Sequence, residues 1–392
     1  MPPLQAAAVV ARNYLPHARV LAESFRRHHP RGRLALLVVD GPAAVEGADV
    51  LGPADVGVDG AELRRRAMLF DVQGVISSLR APLLASLLDG PVLLLDADML
   101  VLAPLDDLWA LAEAEGILLS PHALDPMPGG PGDWREEELL RSGTFNGGFL
   151  GVGPGAGPFL AWLADRARRD CVREPARGLL YTQTWLNLVP ALFPHRILRD
   201  RGVNAQFHAL HGRDVEWAAD GPRIGDDPLR LFHFAGFDPG DPGRLCRHYP
   251  GTELDDRPGL ARLCRDYAAR LRAAGWPAAP APPAVAADEV ARAVYRRALL
   301  AAEAGDGREP PDPAEPGLGE WLREPAPDTA VSRYLLGLRE ARADLRAAFP
   351  RVPGADEAGY LAWAAGKAAE PDPEFPPAFA PSAARSAPAT AR

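Results

Sequence analysis

The chain has 392 residues, 47% of them hydrophobic, and a formal net charge of −9. There is apolar material for one large or two ordinary domains, and the acidic balance argues against a nucleic-acid-binding surface. Cys171, Cys246 and Cys264 show no Cys-x-x-Cys spacing, which excludes a zinc ribbon and fits a reduced, cytosolic protein. Lys367 is the sole lysine, so chemistry that needs a lysine has one candidate. The start, Met1-Pro2-Pro3-Leu4-Gln5, has no basic run before its apolar stretch, so neither a signal peptide nor a membrane span is expected.

Gln5 to Ala11 reads as a first strand. A helix from Tyr14 to His29 follows, with Leu15, Ala18, Leu21, Ala22 and Phe25 at helical spacing. Arg33 to Asp40 is a second strand that ends in an acid. Glu62–Phe70 and Ser77–Leu88 read as helices. Next comes Val92-Leu93-Leu94-Leu95-Asp96-Ala97-Asp98, an apolar run suited to a strand covered on both faces. Asp96 and Asp98, at i and i+2, point to one side at the carboxyl end of that strand, where open α/β sheets bind ligands. Two hard oxygen ligands on one side suit Mg²⁺ or Mn²⁺. The plainer alternative is an Asp-rich turn after a buried strand.

Beyond this point, a helix capped by Asp106 or Asp107 runs to Glu115, and Ile117–Ser120 is a further strand. This alternation predicts an α/β fold with a mostly parallel sheet. Phe145–Val152 reads as a strand interrupted at Gly147-Gly148. Phe159–Asp170 and Thr182–Phe193 read as helices, Leu229–Phe234 as a strand, and Leu260–Ala274 as the helix that closes a domain over 1–275. Residues 276–286 form a Pro/Ala linker. Residues 287–370 read as helical in three segments, Glu289–Ala304, Ala330–Ala348 and Glu357–Ala369, with Thr329 and Asp356 as caps. Residues 371–392 are rich in Pro, Ala and Ser, a composition that predicts disorder.

Five segments carry a resemblance when taken in order. They are Ala11-Arg12-Asn13-Tyr14-Leu15; Ser78-Leu79-Arg80-Ala81-Pro82; Asp96-Ala97-Asp98; Phe145-Asn146-Gly147-Gly148-Phe149 with Thr182-Gln183-Thr184-Trp185; and His233-Phe234-Ala235-Gly236-Phe237. Their order resembles nucleotide-sugar glycosyltransferases of the GT-A fold, especially family 8 and related bacterial envelope-sugar enzymes, over about residues 5–275. The helical end resembles the appendix of one bacterial branch. The resemblance implies a Rossmann-like, mostly parallel sheet with flanking helices, and transfer of a sugar from a nucleoside-diphosphate sugar. The acceptor would be a saccharide, a lipid-linked molecule or a small molecule, and the setting cytoplasmic, compatible with seating on the inner membrane face.

The resemblance also implies roles. Asp96, Asp98 and His233 would hold the metal, Mn²⁺ or Mg²⁺. Ala11, Asn13 and Tyr14 would hold the nucleoside, with Asp40 near the base or ribose. Asn146 and Gln183 would line the donor sugar, and Arg80 would stand near the diphosphate. Thr182 and Thr184 stand where the family carries acids, and Pro239 stands where it carries a lysine; Arg244, Arg247 or His248 could replace that lysine. Fewer carboxylates imply a less polar sugar pocket, suited to a deoxy or modified sugar or a pentose.

Each residue also has a plainer reading. His233 could be a core histidine, Asn146 turn chemistry, Gln183 a solvated helix position and Tyr14 a helix-start residue. His122 is structural or near the acceptor. Trp162, Trp185 and Phe193 sit at core-like spacing, and Glu136-Glu137-Glu138 reads as a solvated face. Two other functions are compatible with the sequence. A haloacid-dehalogenase-type phosphatase also carries Asp-x-Asp after an apolar strand, but on an early strand and with a catalytic lysine. The other is a non-catalytic nucleotide-sugar-binding protein, supported by Thr182 and Thr184.

Overall fold

The computed structural model describes residues 4–127, 136–210, 213–249, 251–279, 288–313, 317–367 and 375–381. The chain divides into two compact units: Met1–Leu63 with Phe70–Pro283, and Arg64–Leu69 with Ala284–Arg392.

The first unit is mixed α/β. Its early elements are β1 (Gln5–Val10), α1 (Leu15–His28), β2 (Arg33–Val38), β3 (Asp49–Leu51), the start of α2 (Gly60–Leu69, of which Arg64–Leu69 falls in the second unit), α3 (Val72–Ser78), α4 (Arg80–Ser86) and β4 (Val92–Leu95). Then follow β5 (Met99–Val101), α5 (Asp106–Glu115), β6 (Ile117–Pro121), α6 (Glu136–Ser142), β7 (Phe145–Val152) and α7 (Gly157–Ala167). Among the described residues the central sheet has seven strands, in the order Arg196–Ile197, β6, β7, β4, β1, β2, β3. It is mostly parallel, as expected from the β-α alternation. The exception is β7, which is antiparallel to both β4 and β6.

The apolar runs explain this layout. Every residue of β1, β4 and β7 is buried, because helices and loops cover both faces of the sheet. Phe25 of α1 and Trp109 of α5 pack into the core, and Trp109 Nε1 donates to Gln5 O at 2.6 Å. A second apolar cluster joins Phe232, Phe234 and Phe237 to the helix Pro258–Ala273, with Phe234 stacked on Tyr267 at 3.8 Å.

Two expected elements come out differently. The helix expected over Ser77–Leu88 is two helices, α3 and α4, divided at Leu79. Pro82 has no N–H for the Ser78 carbonyl and its ring would clash with it, so the helix restarts and places Pro82 in its first turn. The interruption expected at Gly147-Gly148 is present on one side of β7: its pairing with β6 slips across the glycines, from Leu119↔Leu150 to Pro121↔Phe145, while its pairing with β4 is regular from Leu95↔Phe149 to Val92↔Val152. Thr182–Phe193 is a tight turn over Thr184–Leu188 and a single α-turn over Val189–Leu192.

The second unit is helical: Glu289–Glu303, Gly317–Arg323, Arg333–Ala341, Ala343–Ala348 and Glu357–Lys367. The helix expected over Ala330–Ala348 is thus two. Ser332, not Thr329, caps the first, its hydroxyl accepting from Leu335 N at 3.3 Å, while Thr329 bonds Glu357 at 2.8 Å. Of the Pro/Ala linker, residues 280–286 lie outside the described residues, as does most of the 371–392 tail. Within that tail, 375–381 departs from the expected disorder. Phe375 is buried against Trp363, and Phe379 stacks on Tyr334 at 3.8 Å. Two aromatic side chains give this short stretch the apolar surface that the surrounding composition lacks. No helix of the described residues is long and apolar enough to cross a membrane.

Candidate active site

β4 delivers Asp96 and Asp98 to the carboxyl edge of the sheet. The Asp96 N–H donates to Gly148 O at 2.9 Å, so the first carboxylate lies beside the Gly147-Gly148 pair of β7. Just beyond, β5 pairs antiparallel with the strand Leu231–His233, in a register that sets His233 opposite Met99. Phe234 N then donates to Asp98 O at 2.9 Å. Two strand pairings, far apart in sequence, therefore bring Asp96, Asp98 and His233 together. One potential ligand atom from each lies within 4.8 Å of the others.

The electrostatics follow from this crowding. Burial pushes the Asp96 carboxyl up, although Arg80 pulls against it; Arg80 Nη2 bonds Asp96 Oδ1 directly. Burial alone would raise Asp98 as well, but the facing His233 outweighs it and holds the carboxyl below its ordinary range. His233 is raised in turn: burial opposes its charge, and Asp98, 3.2 Å from Nε2, more than compensates. Two carboxylate oxygens and an imidazole nitrogen form a donor set that suits Mn²⁺ or Mg²⁺. The Asp96 and Asp98 side chains still expose 23% and 19% of their surface, so a cation can reach them. Gly148 also leaves room: a Cβ there would lie 2.6 Å from Asp96 Oδ2 and 2.7 Å from His233 Cε1. The residues present therefore fit a divalent cation.

A cleft opens above the carboxylates, lined by Val9, Val10, Asn13, Tyr14, Val72, Gln73, Ile76 and Arg80. Tyr14 presents an exposed ring stacked on His17 at 4.3 Å. Its phenol is pushed up to about 12 by the surrounding protein and by Asp98. Asp40 braces the neighbouring loop, accepting from Arg12 N at 2.8 Å, while Ala11 is buried and its carbonyl accepts from Tyr14 N.

The structure alters the part open to two expected residues. Asn146, 6% exposed, was expected to touch the donor sugar, but both ends of its amide are engaged inside the protein. Its oxygen meets Gly148 N at 3.0 Å and Asn204 Nδ2 at 3.3 Å; its nitrogen meets His122 Nε2 at 3.3 Å and Gln206 Oε1 at 3.4 Å. Gln183 bonds backbone at both ends, donating to Ser142 O at 2.7 Å and accepting from Gly147 N at 3.0 Å. It thereby braces Gly147, whose carbonyl accepts from Arg80 Nη1 at 2.6 Å. Both side chains hold the site's walls.

Several neighbours of this chain among solved structures are glycosyltransferases. The chain is similar to the glycosyltransferase GlyE of Streptococcus pneumoniae TIGR4 at 17% identity and TM-score 0.41, over 69% of this chain and 63% of that one. It is similar to the galactosyltransferase LgtC in complex with donor and acceptor sugar analogues at 15% identity and TM-score 0.42, over 68% and 95%. It is also similar to mouse xyloside xylosyltransferase 1 at 14% identity and TM-score 0.36, over 59% and 97%. The chain thus spans less than two thirds of the length of GlyE. No family model matches the chain, and no curated protein matches it in sequence.

Three buried residues near Asp96, Asp98 and His233 were not anticipated as parts of the site: Asn204, Gln206 and His208. His208 Nδ1 lies 3.3 Å from Gln206 Oε1. A sequence signal existed, since polar residues alternate with Val203, Ala205 and Phe207, the period that puts one set of side chains on one side. His122 belongs to the same network, and burial lowers its pKa to about 4. Of the residues that replace the two acids, Thr182 is buried, and the Thr184 hydroxyl accepts from Leu180 N at 3.1 Å. Among the three candidate cations, Arg244 pairs with Glu253 at 3.2 Å and His248 packs against Gly236. Arg247 is exposed, forms no ion pair with a described residue, and opposes the rise of the Tyr14 phenol electrostatically.

Proposed function

We propose that this chain is a metal-dependent glycosyltransferase of the GT-A type, resembling family 8. It would move a sugar from a nucleoside-diphosphate sugar to a saccharide, lipid-linked or small-molecule acceptor in envelope polysaccharide or glycoconjugate synthesis. The observation that carries this reading is the convergence of Asp96, Asp98 and His233, whose two carboxylates line a cleft that also presents Asn13, Tyr14 and Arg80.

Asp96, Asp98 and His233 would hold Mn²⁺ or Mg²⁺, which neutralises diphosphate charge as the nucleotide leaves. Arg80, fixed by Gly147 O and Asp96, supplies a preorganised cation to the same leaving group. Arg247, which forms no ion pair with a described residue and lies within electrostatic reach of Tyr14, would take the place of the missing lysine. Tyr14 offers a ring face to the nucleoside, and Asn13 a polar contact. Asp40 holds the loop that carries them. Asn146 and Gln183 act by positioning Gly148, Gly147 and Arg80. The buried Thr182, standing where a carboxylate is usual, favours a deoxy or modified sugar or a pentose as donor. Clear preference for unmodified UDP-glucose or UDP-galactose in a donor panel would refute that choice.

Two features oppose the phosphatase reading: Asp96 is already bonded by Arg80, and Lys367 belongs to the other unit. A thermal-shift series with UDP, GDP and their sugars, with Mn²⁺ or with EDTA, tests the proposal. Ligand at about a hundred times its dissociation constant should add roughly 2.7 kcal/mol, and more with Mn²⁺. No shift with any nucleoside diphosphate would overturn the donor site, whereas binding without donor turnover would favour a non-catalytic binder.

A further inference from the structure

His233 is fixed by more than its strand. Its Nδ1 lies 3.1 Å from Asn204 Oδ1. Neither a histidine tautomer nor an amide orientation is self-evident, so each must be fixed by a neighbour whose role cannot invert. One such neighbour is the backbone N–H of Gly148, which can only donate and lies 3.0 Å from Asn146 Oδ1. It sets the Asn146 amide with its oxygen toward Gly148. The Asn204 side chain meets that same oxygen at 3.3 Å and must present nitrogen to it; this nitrogen also reaches Ser120 Oγ at 3.0 Å. The Asn204 oxygen is therefore left for His233, whose Nδ1 must carry the hydrogen.

The opposite side of the network agrees. Asn146 Nδ2 faces His122 Nε2, which must then accept, leaving His122 Nδ1–H to donate to Gly143 O at 2.8 Å. Asn204 also adopts a left-handed backbone conformation, φ +56°, and is buried. Asparagine is one of the few residues that enter this region readily, and the side-chain bonds hold it there.

We propose that Asn204 is a positioning residue for the metal: with Asn146 it relays the backbone N–H of Gly148 into the tautomer of His233, so that Nε2 faces Asp96 and Asp98 as a ligand. This rests on the metal reading of the site. Groups that hold the second nitrogen of a metal-bound histidine fix its ring and its tautomer, and their loss weakens metal binding by about 10- to 100-fold.

The test compares Mn²⁺ affinity, by calorimetry on folded protein without nucleotide, in wild type, Asn204→Gly and Asn204→Asp. Glycine keeps the left-handed backbone and deletes the amide; aspartate keeps an acceptor for His233 Nδ1. The glycine variant should bind Mn²⁺ about 10- to 100-fold more weakly, and the aspartate variant should recover most of that loss. A merely structural Asn204 would lower the stability of both variants and leave their Mn²⁺ affinities alike. Wild-type affinity in Asn204→Gly would overturn the inference. Wild type that binds no Mn²⁺ would remove the metal reading and this inference with it. Should both variants fail to fold, wild type carrying isotope-labelled histidine and loaded with NMR-active cadmium decides. Coupling to His233 Nε2 is expected, and coupling to Nδ1 would overturn the relay.

Discussion

Replacing Gly148 by alanine would put a Cβ 2.6 Å from Asp96 Oδ2, 2.7 Å from His233 Cε1 and 2.9 Å from Asn146 Oδ1. Ordinary contact begins near 3.4 Å, so the carboxylate oxygen must retreat by roughly 0.8 Å and the imidazole by roughly 0.7 Å. The backbone cannot absorb the shift cheaply, because Gly148 O accepts from Asp96 N and Gly148 N donates to Asn146. Overpacking of this kind costs about 1–3 kcal/mol of stability. The effect on the metal is the sharper one: ligand distances at metal sites hold to about 0.2 Å, several times less than the forced displacement. Gly148→Ala should therefore remain folded by circular dichroism, lose about 1–3 kcal/mol in urea unfolding, and bind Mn²⁺ at least about tenfold more weakly. Wild-type Mn²⁺ affinity in the folded variant would refute the claim that Gly148 is small in order to leave room for the ligands.

Three further outcomes are expected. His122 has its pKa depressed by burial to about 4, so on acidification the unfolded state takes up the proton first. Its contribution, on the order of 3 kcal/mol, is complete above about pH 6.5 and is lost as the pH falls toward 4. Urea unfolding of wild type and His122→Gln across that window should show a shallower decline in the variant, and identical declines would contradict the assignment. Thr184→Ala should cost about 1 kcal/mol by leaving Leu180 N without its acceptor, with donor preference unchanged; a new donor preference would place Thr184 in the sugar pocket instead. Phe375→Ala should cost about 3 kcal/mol or more, because the side chain is buried against Trp363, and an unchanged unfolding midpoint would show that this stretch does not pack.

Much of the sheet was legible because buried strands write themselves as continuous apolar runs. Val92–Leu95 is the clearest case, and it also carried Asp96 and Asp98 to the right edge. The three-residue β3 and β5 were not legible, being too short to show a period. Gly147 and Gly148 marked an irregularity, as glycine in a strand often does, and the pairing with β6 slips across them. Here the space their side chains would fill is taken by Gln183, Arg80, Asp96 and His233, a reason visible only once distant segments meet. Sequence could name His233 only through the resemblance, since its approach to Asp98 depends on the pairing of β5 with Leu231–His233. For Asn146, its residue type was read correctly as polar and close to the site, but the direction of its amide depends on Asn204 and Gln206, some 60 residues further along.

The most direct test of the account is release of nucleoside diphosphate from a panel of nucleotide sugars in Mn²⁺, by wild type and by Asp98→Asn. Asp98 is bonded by His233 and reached by the cleft, and asparagine keeps its shape while removing the charge. Wild type should turn over at least one donor, should lose that activity in EDTA, and should regain it with Mn²⁺. Asp98→Asn should stay folded, with turnover abolished. Near-normal turnover by Asp98→Asn in the presence of Mn²⁺ would contradict the metal-dependent transfer proposed here.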